Sequence, residues 1–130
     1  MRQVILDLLP LGLTNASSLL LVGSSAGGTG VLLNLNSVHS LLHGELGLSH
    51  VSVRGMADSG WFLDREPYSV DQQSLLATDA IMRGVPLWHA KVPPLCAAHY
   101  PLEPWRCFFG YRIYPFLSGK FVIFYLGKVD

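Results

Sequence analysis

The sequence lacks any apolar stretch long enough to span a bilayer, because Gly, Asn and charged residues interrupt its hydrophobic runs. It also lacks an excess of either charge, since nine basic residues balance nine acidic ones. A surface with this balance offers no electrostatic footprint for nucleic acid or for an anionic membrane. We therefore expect no nucleic-acid partner and no membrane span.

Cysteine is scarce as well, with Cys96 and Cys107 the two examples in 130 residues, so nothing in the composition requires a disulfide scaffold. One bridge and two free thiols are equally acceptable from the sequence alone. We find no secretion signal, because Asp7 and Pro10 interrupt the apolar core that such a signal would need near residue 1. The Asn-X-Ser sequon at Asn15 is meaningful only in the secretory pathway.

The most informative feature that is present is a G-x-S-x-G pattern at residues 23–27, with Ser25 at its centre. The apolar run at residues 19–22 predicts a short buried strand before it, and apolar periodicity from residue 27 to about 42 predicts a helix after it. A serine between a strand and a helix is typical of the nucleophile elbow of α/β-hydrolases. The five-residue pattern alone also fits a plain Gly/Ser turn, so the flanking elements supply the specificity.

An elbow of this kind makes demands on the residues around the serine. The helix folds back over the strand, so we expect no room for a side chain at Gly23 or Gly27. The strained turn should lift the Ser25 hydroxyl clear of the sheet, and the N–H of Ala26 should point to the oxyanion of a reacting ester. The same glycines fit neither a P-loop nor a dinucleotide-binding fingerprint, so we expect no nucleotide cofactor.

The remaining elements are arranged in a β-α-β-α-β order. We predict helices at residues 2–9 and 75–83, strands at 50–54 and 121–126, a loop at 60–74, a break at Pro86, and a short helix before Pro115. This order predicts three parallel strands joined by crossovers. Three strands make an incomplete sheet, and half of all residues are hydrophobic. We therefore expect residues 1–130 to form one partial α/β domain, a fragment of a larger hydrolase.

Three blocks in order resemble the pectin acetylesterase family, especially its animal members. They are GSSAGGTGVLLN from residue 23, VRGMADSGWFLD from residue 53 and WRCFFGY from residue 105. The resemblance implies a partial α/β-hydrolase from a secreted serine carboxylesterase that removes palmitoleate from lipidated Wnt proteins and so inhibits Wnt signalling. It implies no cofactor and no metal. A sugar-acetyl esterase is the variant within the same class.

The resemblance also assigns roles to apolar residues outside the elbow. It implies an acyl-chain pocket lined by Trp61, Phe62, Ile81, Phe108 and Phe109. From residue type alone, ordinary core packing is the simpler interpretation of these five. Asp58 follows the predicted second strand, and we expect its buried carboxylate to support the site by accepting hydrogen bonds from backbone N–H groups around the elbow.

A complete catalytic triad is not visible. In α/β-hydrolases the acid and then the histidine follow the nucleophile, and here the acid position aligns near Lys128, so Asp130 fits only with a slip of two residues. His89 and His99 have the right order but are expected on the surface or in loops. No Gly-rich stretch before residue 17 offers a second oxyanion donor. We expect little turnover from residues 1–130 alone; a non-catalytic fragment that binds lipid or a partner is the alternative.

Overall fold

The computed structural model describes residues 1–64, 77–118 and 120–124. Its regular elements are the helices α1 (Arg2–Leu8), α2 (Ala26–Ser40), α3 (Ala77–Leu87), α4 (Pro94–His99) and α5 (Gly110–Ile113), and the strands β1 (Ser18–Ser24), β2 (Ser52–Asp58) and β3 (Lys120–Phe124). Shorter 3-10 helices cover Leu13–Asn15, Pro104–Phe108 and Tyr114–Phe116. No helix among the described residues is long and apolar enough to cross a membrane.

The three strands form one parallel sheet in the order β1-β2-β3. The register places Ser24, the last residue of β1, opposite Asp58, the last residue of β2, and Asp58 in turn opposite Phe124 of β3. The carboxyl ends of all three strands therefore meet at one edge of the sheet. The prediction of an α/β unit with three parallel strands is confirmed.

Helix α2 covers one face of the sheet. Leu35 and Val38 of α2 share a buried cluster with Val53 of β2, whereas Leu20 and Val22 on the opposite face of β1 are 51% and 60% exposed. The prediction of a buried first strand was therefore wrong. Alternate side chains of a strand point to opposite faces, and in the described chain only the face toward α2 is covered.

Three element boundaries differ from prediction. Strand β2 continues four residues beyond the predicted end at residue 54, because its pairing with β1 extends to Asp58. After Ser40 the predicted helix continues as a π-helix over Leu41–Glu45, which still buries Leu41 and Leu42. The break expected at Pro86 was wrong, since α3 includes it. A proline in the last turn removes one helical hydrogen bond just before the helix ends.

Some predictions fall outside the described residues. These are the start of the third helix at residue 75, residues 65–74 of the predicted loop, the strand at residues 125–126, and the candidate acid positions Lys128 and Asp130.

The two cysteines form a disulfide, which decides between the two possibilities that the sequence left open. Cys96 of α4 and Cys107 of the 3-10 helix Pro104–Phe108 have Cα atoms 6.1 Å apart, and both are fully buried. They pack with Leu32 of α2 and Ile113 of α5 in a second core cluster. A bridge across 11 residues contributes about 3 kcal/mol to the free energy of unfolding. The bridge links α4 to the 3-10 helix Pro104–Phe108.

Candidate active site

Ser25 lies at the tight turn between β1 and α2. Its backbone has φ 53 and ψ −123, and the residue is exposed. Positive φ is costly for a residue with a Cβ, by about 1–3 kcal/mol, so neighbouring contacts must hold the turn in this shape. The Ser25 N–H donates to the carbonyl oxygen of Asp58 at 2.9 Å, and the Gly28 N–H donates to the carbonyl oxygen of Ser25 at 2.9 Å. The predicted strand-turn-helix geometry is confirmed.

Glycines allow the backbone segments around this turn to touch. A Cβ on Gly23 would lie 2.1 Å from the carbonyl oxygen of Gly27, as expected for an elbow. The matching expectation for Gly27 was wrong, because a Cβ there would meet nothing within 4 Å. A Cβ on Gly28 would instead lie 2.8 Å from the Cα of Gly60. Helix α2 therefore approaches the end of β1 through Gly23 and the segment after β2 through Gly28.

Ala26 is the first residue of α2 and is exposed beside Ser25. The first N–H groups of a helix have no acceptor within the helix, and the helix dipole places positive potential there. A negative oxygen developing on an acyl group attached to Ser25 would meet such donors. The role of Ala26 as the oxyanion donor stays a prediction.

Asp58 contacts the turn differently from the expectation. Its half-buried carboxylate accepts hydrogen bonds from the Ser24 hydroxyl at 3.4 Å and the Ser59 hydroxyl at 3.0 Å. Its main-chain carbonyl, and not its carboxylate, accepts the N–H of Ser25. The reason is that Asp58 is the last residue of β2 and not a residue of the following loop, so its main chain still pairs with β1.

Three of the five histidines lie far from Ser25 along the fold. His39 of α2 and His43 of the π-helix that follows it have tilted rings with centroids 4.1 Å apart. Burial, and then the charge of His43, lowers the pKa of His39. At about 1.5 Å per residue, His39 lies roughly 20 Å along the helix axis from the turn. His43 bonds the Val51 carbonyl, and His50 bonds the Thr14 carbonyl, next to the amino ends of β2 and β1.

His89 and His99 do not complete a site around Ser25 either. His89 follows the end of α3 and has φ 48, and the His99 ring packs against Tyr100 and Phe116. All five histidines lie within the described residues, and none hydrogen-bonds to Ser25 there. No base hydrogen-bonded to the Ser25 hydroxyl is therefore identified among the described residues.

The predicted acyl-pocket residues occupy three segments: residues 61–62 after β2, Ile81 of α3, and residues 108–109. Trp61, just after β2, is half-buried: its ring covers Gly110, where an added Cβ would lie 2.4 Å from the ring, and it meets Tyr114 edge-on with centroids 5.9 Å apart. Phe62 is 40% exposed. The segment that leaves the sheet beside Ser25 therefore packs on the helical segment that carries Phe108.

The other three predicted pocket residues differ in burial. Phe109 is 1% exposed and packs edge-to-face on Trp105, so it also belongs to the core. Phe108 and Ile81 are half-buried; α3, which carries Ile81, packs against the 3-10 helix Pro104–Phe108. Trp88, which the sequence reasoning missed, lies 6.5 Å from Phe108 between ring centroids and is 57% exposed.

A partly buried ionic network joins the segment after β2 to the helical segment that carries Phe108, and the sequence analysis missed it. The Asp64 side chain is 5% exposed. Its Oδ2 accepts hydrogen bonds from Arg106 at 3.2 Å and from Arg112 at 3.0 Å, and its Oδ1 accepts one from the Tyr111 hydroxyl. Arg106 also bonds Glu103 at 2.6 Å. A sequence signal for it was present. Asp64 ends the block VRGMADSGWFLD, Arg106 lies within the block WRCFFGY, and Arg112 follows that block.

Burial and hydrogen bonding act in opposite directions on the pKa of Asp64. Burial favours the neutral acid at Asp64, but hydrogen bonds from Tyr111 and Arg112 outweigh it, so the pKa of Asp64 lies below its usual value. Burial and the hydrogen bond to Asp64 raise the pKa of Tyr111. Asp64 is therefore a carboxylate at neutral pH and Tyr111 a neutral hydrogen-bond donor.

Two other features lie apart from the turn. An open cavity of about 360 Å³ is lined by Met1 and Arg2, by the end of α2 and the π-helix after it, and by Pro94. Among the described residues, no three His, Cys, Asp or Glu side chains come together as a metal-binding group. The described site is made of a serine, backbone donors and apolar side chains.

Comparisons with known proteins agree with this arrangement. The sequence model of the pectinacetylesterase family matches residues 1–126. The chain is 47% identical over 126 residues to the palmitoleoyl-protein carboxylesterase Notum of Drosophila melanogaster, covering 95% of this chain and 18% of that protein. It is 48% identical over 121 residues to the human protein of the same name, covering 89% of this chain and 24% of the relative.

Solved structures show the same likeness in three dimensions. A crystal structure of the Wnt deacylase Notum from Drosophila superposes with a TM-score of 0.86 at 47% identity, covering 94% of this chain and 36% of that one. A second crystal form matches with the same TM-score. The chain thus spans no more than about a quarter of the length of the two curated relatives above.

Proposed function

The chain belongs to the pectinacetylesterase family, and on that basis we propose that it forms part of a serine carboxylesterase, a partial α/β-hydrolase domain with Ser25 as the nucleophile. The single observation that carries the proposal is the turn at Ser25. An exposed hydroxyl at φ 53, between the end of a parallel strand and the start of a helix, fits the nucleophile elbow. The elbow lies at the carboxyl edge of the sheet, where α/β enzymes bind their substrates.

The proposed chemistry is acyl transfer in two steps. The Ser25 Oγ attacks the ester carbonyl carbon, a base accepts the serine proton, and the resulting tetrahedral oxyanion meets the N–H of Ala26. Collapse expels the substrate alcohol, which takes up the proton, and leaves an acyl group on Ser25. Water then attacks the acyl carbon, which releases the fatty acid and restores the hydroxyl. The described residues supply the nucleophile and one oxyanion donor, and we assign the acid and the base to residues outside them.

The proposed substrate is a palmitoleoylated Wnt protein. The Drosophila relative is described as a Wnt deacylase, and several relatives are named palmitoleoyl-protein carboxylesterases. Half-buried Trp61 and Phe108, with Phe62 exposed beside them, favour a long acyl chain over acetate, at about 0.8 kcal/mol per buried methylene. The Cys96–Cys107 disulfide supports a secreted protein, because such bonds persist in oxidising compartments.

The test is hydrolysis by the full-length protein that carries residues 1–130. We expect it to release palmitoleate from an acylated Wnt peptide, detected by mass spectrometry, and to cleave an octanoate ester faster than an acetate ester. Ser25→Ala should abolish both reactions, while Ser17→Ala, a serine before β1, should retain them. Activity that persists in the Ser25→Ala variant would overturn the proposal. Faster cleavage of acetate would favour the sugar-acetyl esterase.

A second candidate is a non-catalytic fragment that binds lipid or a partner protein. It is favoured by the lack of a hydrogen bond between Ser25 and any histidine among the described residues, and by the exposed side chains of Leu20 and Val22 on one face of β1. This candidate predicts that the protein retains lipid or partner binding without ester hydrolysis, so the same assay separates it from the esterase.

A further inference from the structure

We propose that Asp64 is a positioning residue that sets the preferred acyl-chain length by locking together the two segments that carry the apolar residues of the site. This inference rests on the proposed esterase function and adds to it a residue that does not contact the reacting atoms. The first segment is residues 60–64, which leave β2. The second is residues 104–114, which contain the 3-10 helix Pro104–Phe108 and α5.

The first segment is held at both ends. At its start, Gly60 is packed against the elbow so closely that an added Cβ would lie 2.8 Å from the carbonyl oxygen of Ser25 and 2.6 Å from the Cα of Gly28. At its other end, Asp64 is anchored by Arg106 and Arg112. Phe62 lies between these two anchors. Residues 60–64 therefore form a short connection between the turn at Ser25 and the ionic network.

Two arginines bind the second segment to Asp64, one on each side of its phenylalanine pair. Arg106 precedes Phe108 by two residues, and Arg112 follows Phe109 by three, so the two cations that bind Asp64 bracket the pair. The ring of Trp61 covers Gly110 between them. One carboxylate thus fixes the position of Phe62 relative to Phe108.

Loss of the Asp64 charge should weaken binding of the distant end of the acyl chain more than it slows cleavage of the ester bond. Both guanidinium groups donate to the same carboxylate oxygen, Oδ2, and the Tyr111 hydroxyl donates to Oδ1. An amide has no negative charge to attract the two cations, and it replaces one accepting oxygen with an NH₂ donor. When the two segments separate, the apolar residues that they carry no longer fit closely around a long acyl chain. The backbone of Ser25 keeps its hydrogen bonds with Asp58 and Gly28, so cleavage of a short ester depends little on Asp64.

The experiment compares Asp64→Asn with wild type in the full-length protein, using two readouts. The first is kcat/KM for an acetate and an octanoate ester. The second is the Kd for cis-parinarate, a fluorescent long-chain fatty acid, measured in the Ser25→Ala background so that binding does not depend on catalysis. Tyr111→Phe, which removes one hydrogen bond from the network, keeps the test decisive if Asp64→Asn does not fold. Arg2→Gln is the matched control, because it breaks the exposed Arg2–Glu45 pair elsewhere.

We expect Asp64→Asn to weaken cis-parinarate binding about tenfold, equal to about two buried methylenes, and to raise KM for the octanoate ester by a similar factor. Acetate hydrolysis should change less than about threefold, and Tyr111→Phe should show a smaller shift in the same direction. Equal losses for both esters, an unchanged Kd in the variants, or no cis-parinarate binding by the Ser25→Ala parent would overturn the inference. Binding without ester hydrolysis in wild type would instead overturn the proposed function.

Discussion

The N–H of Ser25 donates a 2.9 Å hydrogen bond to the main-chain carbonyl of Asp58, one bond beyond the last paired residues of β1 and β2. The turn that presents the serine is therefore an extension of the sheet. This explains how a non-glycine residue keeps φ 53: the strand on one side and α2 on the other determine the path of the backbone between them.

The close approach at Gly23 predicts strong sensitivity to one methyl group. Gly23→Ala would place a Cβ 2.1 Å from the Gly27 carbonyl oxygen, and backbone cannot move aside as a flexible side chain can. We expect a loss of about 3 kcal/mol in the free energy of unfolding, measured by urea denaturation. The variant should also lose hydrolytic activity.

Gly27→Ala is the matched control for that substitution. An added Cβ there meets nothing within 4 Å, and the residue lies in α2. We expect stability within about 1 kcal/mol of wild type, or a small gain from the higher helix propensity of alanine. If both variants lose equal stability, the packing described for Gly23 is incorrect.

The disulfide should contribute measurable stability. Replacing Cys96 and Cys107 together by alanine is expected to lower the free energy of unfolding by about 3 kcal/mol, since the unfolded chain gains the freedom of an open loop. Reductant should destabilise wild type by a similar amount and leave the double variant unchanged. A reductant effect of the same size on both proteins would exclude the bridge as its cause.

The Asp64 network predicts a dependence of stability on pH. Because the pKa of Asp64 is lowered in the folded protein, its contribution is present above the unfolded value of about 3.9 and is lost as pH falls through the lower folded value. We expect wild type to exceed Asp64→Asn by about 2 kcal/mol in free energy of unfolding at pH 7.

The same difference should shrink as the medium becomes acidic. Urea denaturation of both proteins between about pH 7 and pH 3 measures it, and the two curves should begin to converge below about pH 4. A difference that stays constant down to pH 3 would show that the charge of Asp64 does not stabilise the fold.

The sequence was sufficient to predict what depends on local pattern. The strand-turn-helix around Ser25, the three parallel strands and the short helix before Pro115 follow from apolar periodicity and from the glycine spacing. The exposed face of β1 could not be predicted this way. A continuous apolar run looks the same whether one face of the strand is covered or both.

Features that join distant parts of the chain were missed for a different reason. The contact of Gly28 with Gly60 and the network around Asp64 bring together residues that are 32 to 48 positions apart. Local periodicity does not indicate which distant residues will meet. The reason for a glycine at a given position is therefore clear only when the residue that packs against it is known. The close contact between Gly23 and Gly27 could be predicted, because the elbow motif itself requires it.

The most direct test of the account is labelling with a fluorophosphonate probe, which reacts only with an activated serine. In the full-length protein that carries residues 1–130, we expect one stoichiometric adduct on Ser25 by peptide mapping. Labelling should be lost in Ser25→Ala and retained in Ser24→Ala, the adjacent exposed serine. An adduct that persists in Ser25→Ala, or complete resistance of the wild-type protein, would contradict Ser25 as the nucleophile.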